Sequence, residues 1–170
     1  MERKIGPALV ALAAALFMLA SCKHEGIAPL DLELLRLAQD TSGQVYYHHS
    51  DTLLPRSQGS GHPHPLLRTW YDPPAAAFLD SVGTVVEDTL FSDGAVVVKE
   101  LYTAPGALAL YAIMLKQADH PNADQDGWVW AEITPSGEVA IPSSDRGAAC
   151  RGCHSQSGNI DFTLMNAYFP

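Results

Sequence analysis

Basic residues are scarce in this chain. Its 170 residues hold ten Lys and Arg against nineteen Asp and Glu, a formal net charge of −9. A chain so acidic lacks the electrostatic footprint that a phosphate backbone requires, which argues against a nucleic-acid partner. Cysteine is scarcer still, three in all, enough for one disulfide and a spare thiol. No segment is repeated. Long apolar runs are confined to Ile5–Ala20, which has the length of a signal-peptide core and is short for a membrane-spanning helix. Apolar residues as a class are not lacking, at 47%, and this argues against disorder.

Arg3 and Lys4 precede the apolar run, and Leu19-Ala20-Ser21-Cys22 ends it. Small residues before a cysteine at this point are what lipoprotein signal peptidase reads. The thiol is acylated and cleavage leaves Cys22 as the lipid-bearing N-terminus. Residues 1–21 are therefore expected to be a lipoprotein signal peptide, and the mature chain to be tethered to a periplasm-facing membrane. An uncleaved anchor, or an ordinary signal peptide in which Cys22 has no role, is the alternative. Lys23 stands where an Asp would favour inner-membrane retention, so the outer membrane is favoured in a two-membrane host. The 149 residues after Ser21 (170 − 21) suit a single domain, and their net charge becomes 8 − 18 = −10.

The two remaining cysteines fall in Cys150-Arg151-Gly152-Cys153-His154. This spacing is the attachment signature of c-type haem. Two thiols add to the two vinyl groups, and the adjacent histidine is held under the iron as its axial ligand. A zinc site would use the same three residues with a fourth ligand, but no second cysteine pair exists. A thioredoxin-like pair belongs early in a βαβ unit, and a simple disulfide leaves His154 without a role. The expectation is one covalent haem c on Cys150 and Cys153, with His154 as metal ligand.

Between the two ends the pattern is mostly β. Pro29–Gln39 reads as an amphipathic helix with Leu30, Leu34, Leu37 and Ala38 on one face. Leu66–Tyr71 is strand-like, and Asp72-Pro73-Pro74 opens a short helix with Asp as N-cap. Thr84–Phe91 and Ala95–Tyr102 flank Ser92-Asp93-Gly94, which predicts a hairpin. Ala107–Lys116 is compatible with helix or buried strand. Trp128–Ile133 and Glu138–Ile141 predict another hairpin about Pro135-Ser136-Gly137. Asn122–Gly127 resembles half of an EF-hand loop, but Ile133 stands where the bidentate Glu belongs, so it reads as a solvated acidic turn. The expected class is mostly β (α+β): an antiparallel sheet with a few flanking helices and a C-terminal c-type haem-binding segment. The expected domains are the signal peptide, a lipid-anchored helix and loop over 22–61, and a haem domain over 62–170.

Three residues are candidates to face the haem. Alternation puts Val97, Lys99 and Leu101 on one face of a strand and Val96, Val98 and Glu100 on the other. A buried Lys99 would be costly unless functional, and burial would lower its pKa; periodicity alone favours a lysine snorkelling out at the strand end. Arg68 alternates with Leu66 and Trp70 and could donate to a bound ligand or a propionate; its alternative is a plain ion pair. Phe91, before Ser92-Asp93-Gly94, could cap an open iron face or serve as a core residue.

Leu67–Pro73, Phe91–Glu100, Gly127–Trp130 and Cys150–His154, in that order and spacing, make the chain resemble the cytochrome P-460 / cytochrome c′-beta family over residues 62–170. The resemblance implies an antiparallel β fold and a five-coordinate haem with an open distal side. It also implies a small nitrogen-oxide or hydroxylamine ligand, a redox partner cytochrome and a homodimer. Lys99 matches the lysine that hydroxylamine-oxidising members bond to a haem meso carbon, Arg68 matches a pocket arginine, and Phe91 is the candidate aromatic cap. Oxidising members also place a carboxylate in the distal pocket, on the strand corresponding to Tyr111–Lys116. Here that position falls near Ala112, and no acid occurs between Gly106 and Asp119. A missing proton acceptor would slow hydroxylamine deprotonation, so ligand binding ranks ahead of oxidation. An electron-transfer cytochrome with Met114, Met165, His62 or His64 as sixth ligand is the competing class, and a lipoprotein without haem a remote fourth.

Overall fold

The computed structural model describes residues 26–169. The signal peptide, Cys22 and Lys23 lie outside the described residues. Helix α1 covers Pro29–Gln39, as its apolar spacing predicts, with Pro29 opening the first turn. Seven strands follow: β1 (Val45–Tyr46), β2 (Leu54–Pro55), β3 (Leu66–Tyr71), β4 (Val96–Ala104), β5 (Ala107–Lys116), β6 (Trp128–Ile133) and β7 (Val139–Ile141). They form one antiparallel sheet in the order β1-β3-β4-β5-β6-β7, with β2 pairing the same edge of β3 as β1. Short helices α2 (Pro73–Ala76), α3 (Arg151–His154) and α4 (Met165–Tyr168) complete the fold. Asp72 caps α2, accepting from Ala75 N at 2.9 Å.

Both faces of the sheet are covered, so its central strands are apolar on both sides. One face carries Trp70, Val96, Val98, Tyr111, Ile113, Leu115, Val129, Ala131 and Ile133, against which α1 packs Leu34, Leu35 and Ala38. The cost of burying Asp31 beside them is offset by Ser143 N, which donates to its carboxylate at 2.8 Å. The other face carries Leu67, Tyr71, Val97, Leu101, Leu110, Met114, Trp128 and Trp130 beneath Tyr47, Phe91 and Met165. Of the expected N-terminal helix and loop over 22–61, the described part from residue 26 on contributes α1 to the core and β1 and β2 to the sheet.

One predicted hairpin is absent. Thr84–Phe91 forms no strand and makes a single bridge, Leu79↔Val85. The Asp80 carboxylate takes Val82 N, Thr84 N and the Thr84 hydroxyl, which closes a local turn in place of a ladder. The partner of β4 is instead β5, joined through Pro105-Gly106, with Ala104 opposite Ala107 and Gly106 at φ +78°. The Ala107–Lys116 ambiguity resolves as strand. The β6–β7 hairpin forms as predicted.

The loop leading to the cysteine pair lies hard against the sheet at Gly147. A Cβ there would sit 2.5 Å from Trp130 Cδ1 and 2.6 Å from Nε1, and its φ is +72°. Trp130 is buried and cannot retreat. Gly147→Ala is expected to destabilise the protein by about 2 kcal/mol through overpacking and backbone strain. Urea denaturation should show a lower midpoint at unchanged m value.

Candidate functional site

A cavity of about 300 Å³ opens on the Leu67–Trp130 face of the sheet. Its floor follows from strand register. Thr69 pairs with Lys99, Lys99 with Ala112, and Ala112 with Glu132, so these four form one row across β3, β4, β5 and β6. All four line the cavity. Two strand spacings put the Lys99 and Glu132 backbones about 10 Å apart, and the small Ala112 between them leaves the floor open. The walls are Met114, Trp130, Leu164, Met165 and Phe169, with Cys150, Cys153 and His154 on one side. Residues 57–62 close another side, where His62 Nδ1 lies 3.1 Å from Glu132 Oε1.

Withdrawal from water pushes Lys99 from 10.5 to about 8, with the Glu132 charge acting the other way. Burial likewise lowers His62, partly offset by Glu132. His154 is pushed down to about 4, first by burial and then by the charge of Lys99, so it is a neutral imidazole. Its Nδ1 lies 2.7 Å from Phe162 O, which holds the proton on Nδ1 and leaves Nε2 as the free lone pair. This is the tautomer an axial histidine needs. Cys150 is half-buried, Cys153 exposed, and neither is in a disulfide. Burial raises the Cys150 thiol to about 11.

Two aspartates fix this segment to β6. Asp124 accepts from Trp128 N (2.9 Å), Asp126 N (2.9 Å), Trp130 Nε1 (2.8 Å) and Arg151 Nη1 (2.6 Å). The acidic turn is therefore partly internal, with Asp124 buried rather than solvated, and its carboxylate holds the arginine inside the cysteine motif. Asp161 accepts from Phe91 N (2.8 Å), Trp128 Nε1 (3.1 Å) and Lys116 Nζ (3.0 Å to each oxygen). Among the described residues no three His, Cys, Asp or Glu side chains gather as a metal cage. The donor set instead suits an iron that brings four ligands of its own and takes a fifth from His154.

The cytochrome P460 family model matches residues 70–165. The chain belongs to the cytochrome P460 family. That membership makes it a haem-binding cytochrome. No curated protein matches the chain significantly. The match takes in Lys99, Glu132, Asp161 and the whole cysteine motif.

Two of the expected pocket residues of this cytochrome P460 chain lie elsewhere. Lys99 lines the cavity, so it does not snorkel out of the strand end. Arg68 stands opposite Glu100 on the other face of the sheet, pairs with it, and lies between the rings of Tyr46 and Tyr102. Register is the reason: Thr69, not Arg68, shares the row of Lys99. Phe91 is a buried core residue, edge-on to Phe78 and Trp128. It borders a second hollow that shares only His154 with the first, so it is not the cap of the main cavity. Of the four candidate sixth ligands, Met114, Met165 and His62 line the cavity and His64 does not. Glu132 is the residue the sequence argument missed. It supplies an acid beside Ala112 from the next strand, which removes the objection that the site lacks one. Its signal was the alternation Trp128, Trp130, Glu132 on one face of β6.

Burial alone would raise the Asp124 carboxyl. Its donors from Trp128, Trp130, Arg151 and Asp126 outweigh that and hold it below the ordinary 3.8. A depressed folded-state pKa contributes stability above the unfolded value, lost as pH falls through the folded one. Asp124→Asn is expected to cost about 1–3 kcal/mol at neutral pH, and its deficit against wild type should narrow below pH 3.8. Denaturation curves across pH 2–7 would check this.

Proposed function

We propose that this chain is an exported, lipid-anchored cytochrome of the P460 family whose single haem c is bonded to Cys150 and Cys153, ligated by His154, and open on its other side to a small nitrogen species. The observation that carries this proposal is the row Lys99–Ala112–Glu132 facing the same cavity as the cysteine motif. When bound, the haem supplies the redox centre on which a nitric oxide or hydroxylamine ligand is held. The residues supply the rest. The Cys150 and Cys153 thiols provide the covalent attachment. His154 would ligate the iron through its free Nε2 lone pair, with Phe162 O fixing the ring through Nδ1. Glu132 accepts a proton from a hydroxylamine nitrogen or oxygen, and His62 holds the carboxylate in place. Mostly apolar walls surround these groups. Lys99, pushed down to about 8 by burial, carries a neutral amine near physiological pH far more often than an ordinary lysine. This supports the amine chemistry that resemblance to hydroxylamine-oxidising members implies.

Glu132 tilts the balance from ligand binding towards oxidation. Glu132→Gln should lower kcat for hydroxylamine oxidation by about 100-fold or more, the usual contribution of a placed general base, while leaving nitric oxide affinity within a few-fold of wild type. Equal turnover in the variant and the wild type would exclude Glu132 as proton acceptor. Mass spectrometry of the holoprotein should find the Lys99 peptide joined to haem; a free peptide would reduce the site to ligand binding.

A second reading, electron transfer by a closed haem, is favoured by Met114, Met165 and His62 on the cavity wall. The Met165 sulfur already accepts from the Thr69 hydroxyl at 3.1 Å, which counts against it as a ligand. Titration of the ferrous protein with nitric oxide separates the two: stoichiometric binding fits the open site, and resistance fits the closed one.

A further inference from the structure

The histidine that ligates the proposed haem takes its orientation from one carbonyl, and that carbonyl sits on an unusual turn. Asp161 and Phe162 both have positive φ, 40° and 69°, although neither is glycine. For a residue as bulky as Phe this is a costly conformation that persists only if its surroundings impose it. The structure contains what imposes it. The Asp161 side chain is almost wholly buried and accepts from three elements at once: Lys116 at the end of β5, Trp128 on β6, and the Phe91 amide. The turn is further closed by Thr163 N and Oγ1, both donating to Ile160 O at 2.8 and 2.7 Å. Lys116 is itself fixed, donating to Asp126 O at 3.0 Å and lying over the Trp128 ring. With this clamp in place Phe162 O points at His154 Nδ1.

We infer that Asp161 is a positioning residue for the axial ligand: clamped by Lys116 and Trp128, it holds the Phe162 carbonyl on His154 Nδ1 and so sets the basicity of the imidazole and the reduction potential of the haem. The inference rests on His154 being that ligand. The direction follows from the bond. An acceptor on Nδ1–H makes the imidazole a stronger electron donor and favours the oxidised metal. Loosening the turn weakens the bond and raises the potential.

The test is potentiometric titration of holoprotein carrying Asp161→Asn or Lys116→Met, with haem content checked by pyridine haemochrome. Positioning predicts an upward shift in both variants, because each releases the same carbonyl. A charge effect alone predicts opposite signs: removing the Asp161 charge raises the potential, and removing the Lys116 charge lowers it. Lys116→Arg, which keeps a donor on Asp161, should return the potential towards wild type. A downward shift in Lys116→Met, or no shift in either variant, would overturn the inference. If Asp161→Asn fails to fold, Lys116→Met and Lys116→Arg decide it alone. A wild-type protein that takes up no haem would instead overturn the haem assignment itself, and this inference with it.

Discussion

A buried carboxylate without donors is untenable, and the requirement to satisfy Asp124 and Asp161 organises the cavity side of this protein around the cysteine motif. Each draws an indole N–H from β6: Trp130 gives to Asp124 and Trp128 to Asp161. Each then holds a piece of the C-terminal segment, Arg151 in one case and the 160–163 turn in the other. Because Trp128 and Trp130 alternate on one strand face, the two attachments are spaced by the strand itself. The helix bearing Cys153 and His154 is only four residues long. It cannot be stable alone, and its position is dictated from outside.

The same strand face continues to Glu132. One strand therefore fixes the cysteine-motif segment at one end and offers a carboxylate to the cavity at the other. Lys99 reaches the cavity from two strands away, across Ala112. The opposite face of the sheet, on which α1 packs, carries the ion pair Arg68–Glu100. The sheet thus puts the Thr69–Lys99–Ala112–Glu132 row and the Arg68–Glu100 pair on opposite faces by the alternation of side chains along β3, β4 and β6.

Much of this was legible in the sequence. Helix α1 and strands β3, β4 and β6 follow from periodicity, and the cysteine motif from its spacing. The family followed from four short motifs, and the model match over residues 70–165 bears it out. The differences have physical causes. Which face a strand residue such as Arg68 or Glu132 occupies in a shared row depends on register with its neighbours, whereas Phe91 lies outside any strand, on a loop packed against Phe78 and Trp128. Arg68 is one residue out of the Lys99 row, and Glu132 is in it through the pairing of β6 with β5, a register the sequence does not print. Thr84–Phe91 has the composition of a strand, but Asp80 captures the amide and hydroxyl of Thr84 at its start and turns the chain locally. Asp124 reads as a solvated turn in sequence because Arg151, 27 residues away, reaches it only through tertiary structure, and because alternation does not show that the Trp130 indole turns back to it.

The central claim is that His154 occupies one side of the iron and that the side facing Lys99 and Glu132 is open. Electron paramagnetic resonance of the ferric holoprotein tests it directly. An axial high-spin signal is expected of a five-coordinate or weakly aquated iron. A rhombic low-spin signal from two strong protein ligands would contradict the account and would place Met165, Met114 or His62 on the iron instead.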